Sequence, residues 1–181
     1  MVATDQVTVE EFAQMSLHGI WELVDGEPIE LTPAAGRSSR IGGRLYARLA
    51  DHVEPSEFGW AFPAETGFVL FADRTTVRSP DAAVVRRDRL AEPPDTFVPL
   101  APDLAVEVLS PSDRIADALA KIAMYLDAGV RLVWLVDPAS QTVMIFRPDA
   151  IPAKLGADET LDGGDVVPGF TVPVAEIFAQ G

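Results

Sequence analysis

Cysteine is absent from this 181-residue chain, and histidine is represented by His18 and His52 alone. Without cysteine there is no disulfide scaffold, iron–sulfur cluster, thiolate zinc site or cysteine nucleophile. Two histidines leave little for a Ser-His-Asp triad or a histidine-rich metal centre. Positive charge is also scarce: 14 Lys and Arg stand against 28 Asp and Glu, a formal net charge of -14. Broad, salt-driven binding to a nucleic-acid backbone needs a basic surface that displaces counterions, and this composition speaks against it. The densest apolar run, Leu132 to Val136, is far too short to span a bilayer. The start, MVATDQVTVEEF, has neither the basic residues nor the apolar stretch of a secretory leader, so a soluble cytoplasmic protein is the expectation. Familiar nucleotide and hydrolase motifs are missing too. Gly36 to Gly43, GRSSRIGG, fits neither a P-loop nor a GxGxxG fingerprint, and there is no HExxH, EF-hand loop or GxSxG elbow.

What is present is enough apolar residue, 48%, for one packed core. Thr8 followed by Glu11 has capping-box spacing and predicts a helix to about Met15. Asp25-Gly26 between Trp21–Val24 and Pro28–Thr32 predicts a hairpin. Ile41, Leu45, Leu49 and Val53, spaced by four, predict a helix over 37–53. Short apolar stretches from Gly59 to Val85, separated by Pro, Gly and Asp, read as antiparallel strands, and Arg86 to Pro102, which holds four prolines, as a surface loop. Leu104–Leu109 reads as a buried strand, followed by a helix from Ser112 or Asp113 to about Ala128, with Ile115, Leu119, Ile122 and Leu126 as its core stripe. Leu132–Val136 and Thr142–Arg147 form a second hairpin, and small strands and a short helix close the chain. The sum is a single α/β domain over residues 1–181, with a mixed central sheet flanked by helices.

Three carboxylates sit in apolar surroundings. Glu107 lies inside LAVEVL, Asp81 follows Pro80 at the mouth of the AAVV strand, and Glu22 stands between Trp21 and Leu23. A carboxylate in a buried strand is costly unless paired, hydrogen-bonded or bound to a cation. Taken singly, Glu22 reads as an edge or ion-pair residue and Asp81 as a turn residue; Glu107 resists so plain a role. Three acids converging from one sheet would have to share a proton, meet a lysine or hold a metal. Lys121, on the following helix, has a local partner in Asp117 at i−4 and a longer reach back to Glu107; Tyr125 lies on the same side.

These residues carry a resemblance. SPD (Ser79–Asp81), PDLAVEVLSPSD (Pro102–Asp113), KIAMYLDAGVRLVWLVDP (Lys121–Pro138), the earlier ELVDGE (Glu22–Glu27) and the tail DVVPGFTVPVAEIF (Asp165–Phe178) occur in the order that resembles the Uma-type restriction-endonuclease family. That family belongs to the restriction-endonuclease-like PD-(D/E)xK superfamily. The resemblance implies that Asp81 and Glu107 are the motif acids and that the Val108 carbonyl joins them as a metal ligand. The motif lysine, expected at position 109, is Leu109 here; the resemblance implies that Lys121 replaces it from the helix. Glu22 corresponds to an additional acid near the N-terminus. Relatives often carry a His where this chain has Ser38 or Ser39, which implies slower or altered catalysis.

Hard oxygen ligands such as Asp81 and Glu107 suit Mg²⁺ or Mn²⁺ better than zinc. The expectation is therefore metal-dependent hydrolysis of phosphodiester bonds, in DNA before RNA, with Glu22 holding a second metal or a metal-bound water. Cutting both strands needs two sites, hence an expected homodimer. The rival is a catalytically silent nuclease fold used for binding or regulation, which the net charge favours. The Arg37, Arg40, Arg44 and Arg48 strip is the local candidate for DNA contact; its plainer reading is a solvated helix face.

Overall fold

The computed structural model describes residues 6–71 and 75–179; the first five residues of the start read for a leader lie outside them. Helix α1 (Val9–Gln14) begins with the expected capping box, Thr8 and Glu11 each bonding the other's backbone amide. Strands β1 (Ile20–Val24) and β2 (Glu27–Leu31) pair antiparallel around Asp25-Gly26, whose positive φ angles of 49° and 79° suit a tight two-residue hairpin turn. Helix α2 (Gly36–Val53) buries Ile41, Leu45, Leu49 and Val53 together, as their spacing required.

The next four strands divide between two sheets. Strands β3 (Gly59–Pro63) and β6 (Ala82–Arg86) join the central sheet, whereas β4 (Phe68–Phe71) and β5 (Thr76–Arg78) join the β1–β2 hairpin. The proline-rich stretch after β6 runs without helix or extended strand to β7 (Leu104–Val108). Helix α3 (Ile115–Asp127) then crosses to β8 (Leu132–Asp137), which pairs parallel with β7. Strands β9 (Thr142–Phe146), β10 (Ala153–Leu155), β11 (Thr160–Asp162) and β12 (Thr171–Pro173) and helix α4 (Val174–Phe178) complete the chain. The central sheet has the order β10-β9-β8-β7-β6-β3; a second sheet has the order β2-β1-β5-β4, and β11 and β12 form a ribbon.

Alternation along β7 sets up the site. Leu104, Val106 and Val108 enter the core shared with α2 and α4, whereas Ala105 enters the core beneath α3. The same period of two sends Glu107 to the α3 face.

Three expectations need correction. The acids do not lie on one sheet: Glu22 belongs to the second sheet, which meets the central one where β6 and β7 expose Asp81 and Glu107. Helix α3 starts at Ile115, not at Ser112 or Asp113, because Asp113 accepts a bond from the Ser110 amide and caps that turn instead. Its buried face is Ile122 and Tyr125, while Ile115 and Leu119 are 53% and 41% exposed; the first turns project past the sheet, and the helix rolls so that Lys121 and Tyr125 face β7. Among the described residues no helix is long and apolar enough to cross a membrane.

Candidate active site

Asp81, Glu107, Lys121 and Glu22 are brought together where β6 begins and β7 ends. Asp81 N–H donates to Val106 O at 2.9 Å, continuing the β6–β7 ladder. One ladder position further, the Val108 amide donates to Asp81 Oδ2 at 2.7 Å. The side chain thus takes the place of a backbone acceptor, which pins Asp81 beside the end of β7. Helix α2 backs it closely: a Cβ built on Gly42 would stand 3.2 Å from Asp81 Cβ.

Glu107 Oε1 accepts from Tyr125 Oη at 2.7 Å and pairs with Lys121 Nζ at 2.8 Å. One helix turn separates these two donors, so α3 delivers both to the same oxygen. Lys121 Nζ also lies 3.1 Å from Glu22 Oε1 and donates to Ser79 O at 3.3 Å. The longer reach of Lys121 wins over its local partner Asp117, because an ammonium with little solvent needs buried counter-charge. Glu22 is only 1% exposed and is tied on both oxygens, Oε2 to Arg78 Nη1 at 2.6 Å and Oε1 to the Ser79 amide at 2.8 Å.

Burial tends to raise the Glu22 pKa, but Lys121, Arg78 and the Ser79 amide outweigh it and hold the carboxyl below its ordinary range. Burial pushes Asp81 up, against the Val108 amide and Lys121. Glu107 is pushed to about 7 by burial and by the charges of Asp81 and Glu22, with Lys121 opposing. Burial disfavours the Lys121 ammonium, yet Glu107 and Glu22 hold it protonated well beyond the usual lysine range. Tyr125 is likewise kept neutral, first by burial and then by Glu107.

Asp81 Oδ1 and Glu107 Oε2 carry no hydrogen bond to a described residue, and both side chains keep some solvent contact. Three carboxylates face two cations here, Arg78 and Lys121, and the two free oxygens of Asp81 and Glu107 are a donor set that fits one hard divalent cation. No three acids or histidines among the described residues form a closed cage; Mg²⁺ is commonly held by one or two carboxylates with waters and substrate oxygens completing the shell. Glu22 fits a different task from the second-cation role expected of it, since both its oxygens are committed and it is sealed from solvent. It positions Lys121.

Ser38, rather than Ser39, faces this region: it is 3% exposed and its Oγ donates to Leu109 O at 2.8 Å. Arg44 and Arg48 do not form a free basic strip. Arg44 caps the α4 carbonyls of Glu176, Ile177 and Ala179, and Arg48 pairs with Glu176. Sequence reasoning missed Arg78 and the Ser79 amide; the one available signal was Arg78 two residues before Pro80-Asp81.

The family model described as "Uma2: Putative restriction endonuclease" matches residues 9–175. The chain belongs to that family. A crystal structure from Anabaena variabilis, described as a putative nuclease belonging to DUF820, superimposes with a TM-score of 0.81. It is 22% identical and the match covers 95% of this chain and 97% of that one, so the fold is shared across its length. No curated protein matches this chain. The family is one of restriction-endonuclease-type nucleases, and Asp81 and Glu107 lie at neighbouring strand ends of its mixed sheet.

Proposed function

We propose that this protein is an endonuclease that hydrolyses phosphodiester bonds with the help of Mg²⁺ or Mn²⁺, on DNA in preference to RNA. The observation that carries the reading is the 2.8 Å approach of Lys121 Nζ to Glu107 Oε1, beside an Asp81 pinned at the neighbouring strand end. The position two residues after Glu107 is a leucine, and α3 supplies the lysine instead.

A divalent cation bound there would supply Lewis acidity to a phosphoryl oxygen and lower the pKa of a water. Asp81 and Glu107 would hold it through Oδ1 and Oε2, with the Val108 carbonyl as a third oxygen. Tyr125 and Lys121 lock Glu107 Oε1, which fixes the orientation of Oε2. Lys121 remains an ammonium, so its task is to orient the attacking water and to stabilise charge developing on the phosphoryl group, not to remove a proton. Glu22 and Arg78 hold Lys121 in place, a case of a supporting shell fixing the reacting groups. Cleavage of both strands would follow from a homodimer carrying two such sites.

A second reading, a silent nuclease fold used for binding, is favoured by one observation: the Lys121 ammonium pairs directly with Glu107 and offsets its charge. Plasmid nicking separates the two. Cleavage with Mn²⁺ or Mg²⁺ that disappears in Asp81→Ala and in Lys121→Ala supports hydrolysis. No cleavage by the wild type, or equal cleavage by the variants, rejects it.

A further inference from the structure

Ser79 joins the candidate site to a neighbouring cleft of about 270 Å³. Its amide and carbonyl hold Glu22 and Lys121, while the residue itself forms part of the cleft wall. Phe12, Trp21 and Phe97 supply aromatic surface to that wall, and Phe12 and Phe97 stack with ring centroids 5.6 Å apart. Trp21 and Phe97 are half-buried rather than sealed, and Trp21 is fixed by its Nε1 donating to His18 O at 2.9 Å. Glu65, exposed at the rim, offers a carboxylate acceptor. A cleft of mixed polar and apolar lining with aromatic rings in its wall, beside the candidate site, has the room and the surface for one planar group of a substrate.

Charge says which part of a nucleic acid it suits. The chain carries -14, and four of its cations are already paired within the protein: Arg78 and Lys121 with Glu22 and Glu107, Arg44 and Arg48 with α4. Affinity from phosphate neutralisation is therefore small, and a nucleic-acid ligand must be held by something other than charge. Stacking of bases on aromatic side chains needs no net charge and tolerates any base sequence. A base in a duplex cannot reach such a cleft, because it is stacked and paired.

We propose that the cleft bordered by Trp21, Phe97 and Ser79 receives an unpaired nucleobase of the strand whose phosphodiester lies at Asp81 and Glu107, which makes the substrate single-stranded or locally unpaired nucleic acid. The inference rests on the hydrolytic reading for the placement of the phosphodiester. Glu65 adds a preference for bases with an exocyclic amine, which can donate to its carboxylate.

The test is binding of fluorescein-labelled ten-nucleotide DNA of mixed sequence to the full chain in EDTA, so that no turnover is needed. The single strand is expected to bind at least tenfold tighter than the same sequence as a duplex, and abasic substitution along the strand to remove most of that difference. Trp21→Ala is expected to weaken single-strand binding about 5- to 150-fold, the range for losing one stacked base. Ala13→Trp, which fills the cleft from an exposed position on α1, is expected to act in the same direction with the aromatic wall intact. Equal affinity for single strand, duplex and abasic strand, or an unchanged affinity in Ala13→Trp, would overturn the proposal. Intact, cleft-dependent binding without cleavage when Mn²⁺ is added would instead reject the hydrolytic reading and leave the cleft assignment standing.

Discussion

Strands β6 and β7 carry an acid at each end, and the two ends treat their acids differently. At the far end Asp103, 1% exposed, is satisfied on both oxygens: Oδ2 accepts from the Arg86 amide at 3.0 Å and Oδ1 pairs with Arg89 at 3.0 Å. Its backbone is as fully used, the amide donating to Val84 O and the carbonyl receiving the amides of Arg131 and Leu132. At the near end Asp81 and Glu107 each spend one oxygen on the protein and keep one unpaired among the described residues. A buried acid with every lone pair answered holds strands together. A pair of acids left half-answered, with an ammonium beside them, is arranged for a ligand that brings positive charge.

The sharpest way to break that comparison is to neutralise one acid at each end. Asp81→Asn should keep the fold and reduce phosphodiester cleavage by about a thousandfold or more, the several kcal/mol expected when cation-assisted catalysis is lost. Asp103→Ala should do the reverse. Leaving the Arg86 amide and Arg89 without their acceptor should cost about 1–3 kcal/mol in a urea melt, with cleavage per folded molecule little changed. If Asp103→Ala abolished cleavage without loss of stability, the division between the two ends would fail.

A pH titration sharpens it further. Glu107 is raised from 4.5 to about 7 in the folded chain, so between those values the folded state binds a proton that the unfolded chain has released. Stability of the metal-free protein from this group is therefore whole below about pH 4.5 and is lost as pH rises through about 7. Glu107→Gln cannot ionise, so its stability relative to the wild type should rise between pH 4.5 and pH 8 in chemical denaturation, on top of a constant cost for the lost charge beside Lys121. A difference that stays flat or falls over that range would show that Glu107 is a structural acid like Asp103.

A smaller effect comes from behind the site. The Cβ added by Gly42→Ala would press on Asp81 Cβ at 3.2 Å, so the carboxylate must shift by a few tenths of an ångström. Alanine favours the helix by about 1 kcal/mol over glycine, so folding should not suffer. Cleavage should fall about 10- to 100-fold, as displacement of groups that position a cation does. Ser39→Ala, on the exposed side of α2, serves as the control.

The elements themselves were readable because each announces its period locally: the four-residue spacing of α2, the Thr8–Glu11 box, the Asp-Gly turn. Glu107 and Lys121 could be singled out because an acid inside LAVEVL and a lysine on the next helix have few satisfactory arrangements. The roles of the other acids depend on partners distant in sequence. Pro102-Asp103 before LAVEV looks like Pro80-Asp81 before AAVV, and only Arg86 and Arg89 distinguish the two. Glu22 reads as a candidate ligand until β5 brings Arg78 and Ser79 to it. Arg44 and Arg48 read as a strip for DNA until α4, more than a hundred residues later, places its carbonyls and Glu176 against them. Helix α3 misleads in the same way, because Ile115 and Leu119 keep the core period but project beyond the sheet that would cover them.

The central claim is that the unpaired oxygens of Asp81 and Glu107 hold one divalent cation, and titration calorimetry with Mn²⁺ tests it most directly. One Mn²⁺ per chain is expected for the wild type, with affinity lost in Asp81→Asn and in Glu107→Gln and retained in Asp103→Asn. No Mn²⁺ binding by the wild type, or binding unchanged by Asp81→Asn and Glu107→Gln, would contradict it.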